Sequence, residues 1–400
     1  MTAATAAVRR ISTRRAWAVL AVGVLAQTAT TVLVSAPALL IPVLSIDRHL
    51  PLPQAGLLAA APNLGLVLTL VAWGAAADRF GERVVLVVGL LLSTACALLA
   101  AVPAGPVGFG VALLAAGAAS GCANAASGRV VVGWFPRERR GLAMGIRQMC
   151  QPLGVTIAAL TVPGIGAAAG PGAALLLPAA LCAASAVLVA LVVVDPPRAT
   201  RTAAATANPY RRDAFLLRVH LVSALLVVPQ FTLSTFGLVW LVGALRVPAL
   251  TAGLVVGVAQ FTGAFGRLAV GALSDRARSR VGPLRLVALV ALVLMVALAA
   301  VSATGPTAVA VVAYVLAATI SVADNGLAFT AVAEAAGGFW AGRALGVQNT
   351  GQFLAAAAVG PVVGALVALV GFPLAFLVVA TTPAAALPLV PRRSGERDHL

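Results

Sequence analysis

Hydrophobic residues are arranged in twelve long runs, separated by short segments that are rich in arginine, glycine and proline. A helix needs about 20 apolar residues to cross the hydrocarbon core of a bilayer, and each run is about that long or longer. The pattern therefore predicts twelve membrane spans, numbered 1–12, at residues 16–44, 52–77, 84–102, 107–135, 141–166, 172–194, 214–245, 251–274, 284–303, 306–332, 344–370 and 372–390.

The composition agrees with a chain that resides in lipid. Hydrophobic residues make up 61% and charged residues 10%, whereas a soluble domain carries about 25% charged residues. The net charge of +16 therefore does not indicate a soluble nucleic-acid binder. The four cysteines stand singly inside apolar runs and form no CxxC pair. Neither a disulfide framework nor a metal site is expected, and we expect no cofactor, no enzymatic activity and no required oligomer.

The positions of the arginines predict the orientation. If the N-terminus lies inside, 22 of the 27 basic residues fall in inner segments and two, Arg48 and Arg246, in outer loops. Cytoplasmic loops carry the excess of arginine in membrane proteins. We therefore expect a protein of the inner (plasma) membrane with both termini in the cytoplasm. Residues 1–194 and 214–400 would form two six-helix halves, with 195–213 as a cytoplasmic linker.

Two sequence motifs occur once in each half. Gly74-x-x-x-Asp78-Arg79 follows span 2 and Gly271-x-x-x-Asp275-Arg276 follows span 8, at an offset of 197 residues. The segment 143–151 of span 5 matches 344–352 of span 11 at an offset of 201. A duplicated hydrophobic chain with duplicated charged loops is typical of transporters whose halves rock about a central site.

The first loop, Gly74-x-x-x-Asp78-Arg79-x-Gly81-x-Arg83, resembles the signature loop of the major facilitator superfamily. Residues 134–145 are similar to the loop between spans 4 and 5 in that family. The resemblance covers the whole chain and implies an all-α fold of twelve spans in two pseudo-symmetric halves, with alternating access to a central site. It also implies that Asp78 engages the start of span 11 and holds the inward side shut. The candidate gating residues are Gly74, Asp78, Arg79, Gly81, Arg83, Arg129, Asp275 and Arg276.

Polar residues are unevenly distributed among the spans. Spans 3, 6, 9 and 12 are almost wholly apolar, which is typical of helices at the outside of a bundle. A polar side chain in hydrocarbon needs a partner or water, so the polar spans are expected to line a cavity; the alternative is interhelical hydrogen bonding. The candidate substrate-binding residues are Gln27, Asn124, Arg147, Gln151, Gln230, Arg267, Gln348 and Gln352.

Charged residues inside the spans indicate the chemistry of the substrate. Arg147 and Arg267 come from opposite halves at similar depth, and a guanidinium matches a carboxylate with paired N–H donors. The context Gly266-Arg267-x-x-x-Gly271 resembles span 8 of monocarboxylate and oxalate transporters, in which the arginine contacts the substrate. Span 5 lacks the Gly-Pro-rich signature of drug/proton antiporters. Arg129 is expected to pair with Asp78 at the gate.

Asp324 is the one acidic residue deep within a span. It is either the carrier of a coupled proton or a permanent ion-pair partner of a span arginine. Glu334 and Arg343, beside the loop between spans 10 and 11, are expected to be solvent-exposed.

The sequence features together favour a secondary active transporter, a symporter of a small organic anion such as a carboxylate. Its other partners would be membrane lipid and a proton, with no role for nucleic acid. The alternatives are an efflux pump for hydrophobic or cationic compounds and a non-transporting membrane sensor.

Overall fold

The computed structural model describes residues 13–41, 43–44, 52–102, 105–196 and 207–392, and these residues form helices and no strand. Spans 1–6 are the helices Thr13–Leu39, Leu52–Phe80, Glu82–Ala101, Pro106–Trp134, Arg137–Arg147 with Cys150–Ala169, and Pro171–Ala174 with Leu176–Val192. Spans 7–12 are Phe215–Val239 with the π turn Trp240–Ala244, Ala249–Ala277, Val281–Thr304, Thr307–Ser321 with Asp324–Ala336, and Ala341–Leu389, which holds spans 11 and 12. The predicted termini and residues 197–206 of the predicted linker lie outside the described residues.

The last helix accounts for the difference between twelve predicted spans and eleven helices long and apolar enough to cross a membrane in the described part of the chain. Ala341–Leu389 has 49 residues and would extend about 74 Å at 1.5 Å per residue, more than twice the ~30 Å hydrocarbon core. Gly371 interrupts it with φ 76° and ψ 172°. That residue is also where the hydrophobic pattern separates spans 11 and 12.

Helix ends differ from the hydrophobic runs by a few residues. Span 5 begins at Arg137 rather than 141, and span 8 continues to Ala277 rather than 274. The reason is that backbone hydrogen bonding continues through charged residues that stand beyond the hydrocarbon. Three interruptions were not predicted, at Leu175 in span 6, at Gln148–Met149 in span 5 and at Val322–Ala323 in span 10. The last two lie at the central cavity described below.

The four spans expected at the periphery present large apolar side chains on their outer faces. Examples are Leu91 in span 3, Leu191 in span 6, Val293 in span 9 and Leu374 in span 12, all more than half exposed. Such residues are suited to contact with lipid, where exposure of apolar surface carries no penalty.

The two halves meet tightly at one end of the bundle, which we call the motif end because it carries Asp78 and Asp275. Span 2 crosses span 11 where Gly74 faces Gly342, and span 8 crosses span 5 where Gly271 faces Gly141. A Cβ added at any of these glycines would overlap the opposite backbone. Toward the other end, sites for a Cβ at Gly164 of span 5 and Gly253 and Gly257 of span 8 have no atom within 4 Å. The halves are therefore closed at the motif end.

Candidate functional site

A polar cavity lies between the two halves. Seven of its lining residues are amides, three are phenylalanines and one, Arg267, is charged. Spans 4, 5, 7, 8, 10 and 11 contribute to its wall, with Asn124, Gln148, Gln151, Val227, Gln230, Phe231, Arg267, Asn325, Phe329, Asn349, Gln352 and Phe353.

Arg267 is bound by backbone carbonyl groups at the two helix interruptions. Its Nη1 donates to the carbonyl oxygen of Gln148 at 2.6 Å and its Nε to that of Val322 at 3.3 Å. Gln148 and Val322 directly follow the ends of helical segments, where carbonyl groups lack an intrahelical partner and the helix dipole is negative. Two carbonyls thus stabilise the buried cation, and a guanidinium with five N–H donors keeps others for a ligand.

Asp324 begins the second segment of span 10, two residues after Val322. Its side chain is completely buried, and neither carboxylate oxygen has a hydrogen-bond partner. Asp324 takes part in none of the ion pairs found among the described residues. The permanent pair with a span arginine, one of the two alternatives for this residue, is therefore not formed in this conformation. The helix N-terminus beside it favours a negative charge.

The amide side chains of the cavity orient one another. Gln352 Nε2 donates to Asn325 Oδ1 at 2.8 Å and to Ser223 Oγ at 2.6 Å. Asn325 Nδ2 in turn donates to Gln230 Oε1 at 3.0 Å. Because each amide is fixed by the next, the polar wall of the second half is ordered before any ligand binds.

Five of the eight candidate substrate-binding residues lie on the cavity wall: Asn124, Gln151, Gln230, Arg267 and Gln352. Arg147 does not. It is 1% exposed, and donates to Ser127 Oγ at 2.8 Å, the carbonyl of Asn124 at 2.9 Å and Gln148 Oε1 at 2.9 Å.

The position of Arg147 corrects the expectation that it shares a helix face with Gln151 and faces the same cavity as Arg267. The helix interruption at Gln148–Met149 separates Arg147 from Gln151, so the four-residue spacing no longer aligns them. The ring of Phe329, which lines the cavity, lies 5.3 Å from the Arg147 guanidinium carbon. Arg147 therefore stands behind the wall and supports it.

Gln27 and Gln348 also lie off the wall. Gln27 Nε2 donates to Asn124 Oδ1 at 2.9 Å, and its Oε1 accepts from Ser127 at 2.7 Å, so it positions Asn124. Gln348 lies one helical turn from Gln352 and contacts His220 Nδ1 through its Oε1. His220 Nε2 meets the hydroxyl of Tyr210 at 2.9 Å. Burial raises the pKa of Tyr210 to about 12, so this hydroxyl remains protonated at neutral pH.

Seven wall residues are absent from the predicted set: Gln148, Asn325, Asn349, Val227, Phe231, Phe329 and Phe353. The three amides stand next to predicted polar positions, and their polarity was a usable signal. The phenylalanines carried none, because an aromatic residue in an apolar run looks the same whether it faces lipid or a cavity.

At the motif end, Asp78 connects span 2 to the start of span 11. Its Oδ1 accepts from the backbone N–H of Gly342 at 2.8 Å and from Arg129 Nη1 at 3.0 Å. Its Oδ2 accepts from the backbone N–H of Arg343 at 3.1 Å and from the Arg343 Nε at 3.0 Å. Arg129 Nε also lies 2.7 Å from Glu82 Oε1. The side chains of Asp78 and Glu82 are each 1% exposed.

A second cluster surrounds Asp275 and connects span 8 to span 5. Asp275 accepts from the backbone N–H groups of Gly141 and Leu142, both at 2.9 Å, and from Arg280 Nη1 at 2.6 Å. Arg280 also pairs with Glu334 at 3.2 Å, as does Arg140. Burial would lower the pKa of Arg280, but the carboxylates of Glu334 and Asp275 raise it above its ordinary value. Arg280 is therefore charged at any physiological pH.

Glu334 is thus not the solvent-exposed residue expected from its place beside a loop. Its side chain is 1% exposed, whereas the Arg343 side chain is 36% exposed and pairs with Asp78. Both complete clusters whose other members come from the opposite half of the chain or from a distant span. Sequence position could not show this because the partners, Arg140 and Asp78, lie 194 and 265 residues away.

The other predicted gating residues have simpler surroundings. Gly81 turns the chain with φ 98°, and a Cβ there would overlap the carboxylate of Asp195. The backbone N–H of Arg83 donates to Asp195 Oδ1 at 2.9 Å. The Arg79 guanidinium carbon lies 5.2 Å from the ring of Phe80, and Arg276 is exposed.

A bundle of two six-span halves, closed at one end beneath a polar cavity, defines a polytopic membrane transporter. The family profile described as Major Facilitator Superfamily matches residues 19–360. The Mycobacterium tuberculosis protein named "Uncharacterized MFS-type transporter Rv2994" is 44% identical over 380 residues, covering 94% of this chain and 85% of that protein. The chain therefore belongs to the major facilitator superfamily, and the predicted fold class is confirmed.

Solved structures share the fold at low sequence identity. A point variant of the Escherichia coli fucose:proton symporter FucP is 18% identical with a TM-score of 0.73, over 95% of this chain and 98% of that one. The human organic anion transporter MFSD10 (TETRAN) is 18% identical with a TM-score of 0.72, over 94% of this chain and 99% of that one.

Proposed function

We propose that this protein is a secondary active transporter that works by alternating access and carries a small organic anion such as a carboxylate. The supporting observation is the charge of the cavity wall. Arg267 is the one charged residue among those that line the cavity, and its contacts are carbonyl groups rather than carboxylates. An anion is the ligand that would neutralise this buried cation.

The coupled ion in this proposal is a proton carried by Asp324. The Asp324 side chain is completely buried and neither carboxylate oxygen meets a hydrogen-bond donor, so a bound proton would supply the partner that the protein does not. Binding of a substrate anion near Arg267 would favour protonation further, because it adds a negative charge to the same region. FucP is a proton symporter by name and MFSD10 an organic anion transporter, so this fold accommodates both properties.

The gate and the orientation are part of the same proposal. The clusters around Asp78 and Asp275 hold the motif end shut, and that end faces the cytoplasm, as the arginine distribution indicates. Single cysteines at Thr202 and Gly105, each in a cysteine-free background, test the orientation with a membrane-impermeant thiol reagent on intact cells. Gly105 should label and Thr202 should not; the reverse result would overturn the orientation.

The substrate proposal is tested by ligand binding to purified protein in nanodiscs, screened against carboxylates, sugars, amino acids and cationic dyes. Arg267→Gln should weaken carboxylate binding at least about tenfold, because a hydrogen bond to a charged group contributes ~1.5–3 kcal/mol. Arg267→Lys should bind more weakly than wild type because it lacks the bidentate geometry. Arg139→Gln, which changes an exposed arginine, is the matched control. A neutral or cationic ligand that binds wild type and Arg267→Gln equally would favour the efflux pump instead.

Proton coupling has its own test. Asp324→Asn should still bind and exchange the anion but should no longer accumulate it against its gradient in response to a pH difference. Accumulation that remains pH-dependent in Asp324→Asn would exclude this residue as the proton carrier.

A further inference from the structure

The polar cavity continues into a second, wider cavity between the halves. The wider cavity has a volume of about 380 Å³ and shares four lining residues with the first: Gln151, Gln230, Phe231 and Arg267. Arg267 therefore stands at the junction of two compartments, and a molecule bound to its guanidinium can extend into either.

The two compartments differ in chemistry. The first is lined mainly by amides, whereas most side chains beyond the junction in the second are apolar: Pro152, Val155, Leu233, Val256, Ala259, Ala318 and Val322. The hydroxyls of Thr156, Ser234 and Ser321 donate to backbone carbonyls of their own helices, and Gln260 is the one amide there. The hydroxyl of Tyr314, which also lines the wider cavity, donates to the backbone carbonyl of Leu233 at 3.2 Å. Its polar group is thereby satisfied by the protein rather than available to a ligand.

The helix that carries Arg267 gives the reach of the apolar compartment. Ala259 and Val256 precede Arg267 on the same continuous helix, Ala249–Ala277, by two and three turns. At 1.5 Å per residue these positions lie about 12 and about 16.5 Å along the helix axis from Arg267. An extended chain advances roughly 1.2 Å per bond, from ~3.3–3.6 Å per three-bond residue. A chain of about ten to fourteen bonds would therefore reach from Arg267 to these two residues.

We propose that the substrate is an amphipathic organic anion, with its charged group at Arg267 and a hydrophobic chain or ring in the compartment lined by Val256 and Ala259. The proposal rests on the function proposed above and names the class of anion. A small hydrophilic anion would fill only the amide-lined cavity and would leave the apolar walls against water. An apolar tail removes that surface from water, which is favourable in proportion to the area covered.

The test uses straight-chain monocarboxylates from acetate to hexadecanoate, with binding measured on the full-length protein in nanodiscs and partition into empty nanodiscs subtracted. Burial of each methylene should tighten binding about fourfold. The gain should stop near the chain length that fills the compartment. Octanol and octyltrimethylammonium have the same chain as octanoate without its negative charge, and their binding is compared with that of octanoate.

Two variants localise the tail. Val256→Phe narrows the compartment and should weaken octanoate binding at least about tenfold while acetate binding stays within twofold. Val258→Phe is the matched control, since it adds the same ring two residues away at an exposed position that does not line the cavity. Ala318→Phe, on span 10, provides an independent narrowing should Val256→Phe fold poorly.

The outcomes separate the two proposals. Acetate and octanoate binding equally tightly, with both lost in Arg267→Gln, would overturn the amphipathic class and leave the anion transporter standing. Octanol binding as tightly as octanoate would overturn the anion proposal itself. Chain-length dependence that is unchanged by both Val256→Phe and Ala318→Phe would place the tail elsewhere and would also overturn this inference.

Discussion

The clusters around Asp78 and Asp275 close the same end of the bundle. A comparison between them shows which contacts are the same in the two halves and which are made by residues at different positions. Each aspartate accepts from two consecutive backbone N–H groups, those of residues 342–343 and 141–142. These pairs are related by the same offset of 201 residues as the motif repeat. The contact between a helix end of one half and a helix start of the other is therefore preserved twice.

The arginine and the glutamate that accompany each aspartate do not occupy equivalent positions in the two halves. In the first cluster the arginine is Arg129 of span 4 and the glutamate is Glu82, the first residue of span 3. In the second the arginine is Arg280 of the loop after span 8, and the glutamate is Glu334 of span 10. Both give the order aspartate, arginine, glutamate, and a second arginine, Arg343 or Arg140, balances the charge of each cluster. What this teaches is that the structure requires a charge-balanced cluster and not a particular residue at a particular position.

The largest expected effect distinguishes the two aspartates. Asp78 accepts from two arginine side chains and Asp275 from one, so Asp78→Asn should open the motif end more than Asp275→Asn does. Each hydrogen bond to a charged group contributes about 1.5–3 kcal/mol. Transport should fall at least about tenfold in Asp78→Asn and only a few-fold in Asp275→Asn, at equal surface expression.

Opening of the motif end is measured with a cysteine in place of Ala341, which is buried at the start of span 11. Thiol labelling of this reporter should increase in Asp78→Asn. Glu138→Gln, which removes an exposed carboxylate beside the same end, should leave transport and labelling unchanged. A wild-type transport rate in Asp78→Asn would show that Asp78 has no gating role. The difference between the two clusters would then have no consequence for transport.

The next effect concerns the glutamates. Glu334 pairs with two arginines and Glu82 with one, so Glu334→Gln should destabilise the protein more than Glu82→Gln. The loss should be about 3 kcal/mol, which is typical when one partner of a buried ion pair is removed. Thermal unfolding in nanodiscs measures it, and the double variant Glu334→Gln/Arg140→Gln gives the coupling between the two residues. Equal destabilisation by the two single variants would show that the second arginine contributes nothing.

The smallest effect lies in the turn after each aspartate. Gly81 and Arg278 stand at equivalent repeat positions, and both have a positive φ, 98° and 49°. The left-handed region costs a residue with a side chain roughly 1–2 kcal/mol, while glycine is entropically costly by ~0.5–1 kcal/mol. Arg278→Gly should therefore raise the unfolding temperature slightly, and Gly81→Ala should lower it because its Cβ also meets Asp195. A lower unfolding temperature for Arg278→Gly would contradict this account.

Much of the fold was readable from the sequence because lipid imposes simple requirements. Length and hydrophobicity predicted the spans, and even the separation of spans 11 and 12 fell at Gly371. The contact between Asp78 and the start of span 11 followed from the family resemblance. Depth and polarity placed five of eight substrate candidates on the cavity wall.

The missed features depend on contacts between residues that are far apart in sequence. The two helix interruptions release the carbonyls of Gln148 and Val322, which the distant side chain of Arg267 satisfies. The interruption in span 5 also has a local signal, because Pro152 lacks the N–H that would bond the carbonyl of Gln148 four residues earlier. No proline follows Val322 within the next turn. Because the interruption in span 5 changes which residues face the cavity, the error for Arg147 came from the same source. The charged clusters were missed because their members lie far apart in sequence.

The bond between Arg267 and the carbonyl of Gln148 joins the second half to the first at the edge of the cavity. An anion that binds the remaining N–H donors neutralises the guanidinium charge and so weakens its bond to this carbonyl. We therefore expect the two halves to be held together by this bond when no substrate is bound, and to be free to move relative to each other when an anion is bound. Such an arrangement would suppress futile cycling: a carrier that rarely reorients without cargo dissipates little of the gradient that drives it, and its transport stoichiometry stays fixed.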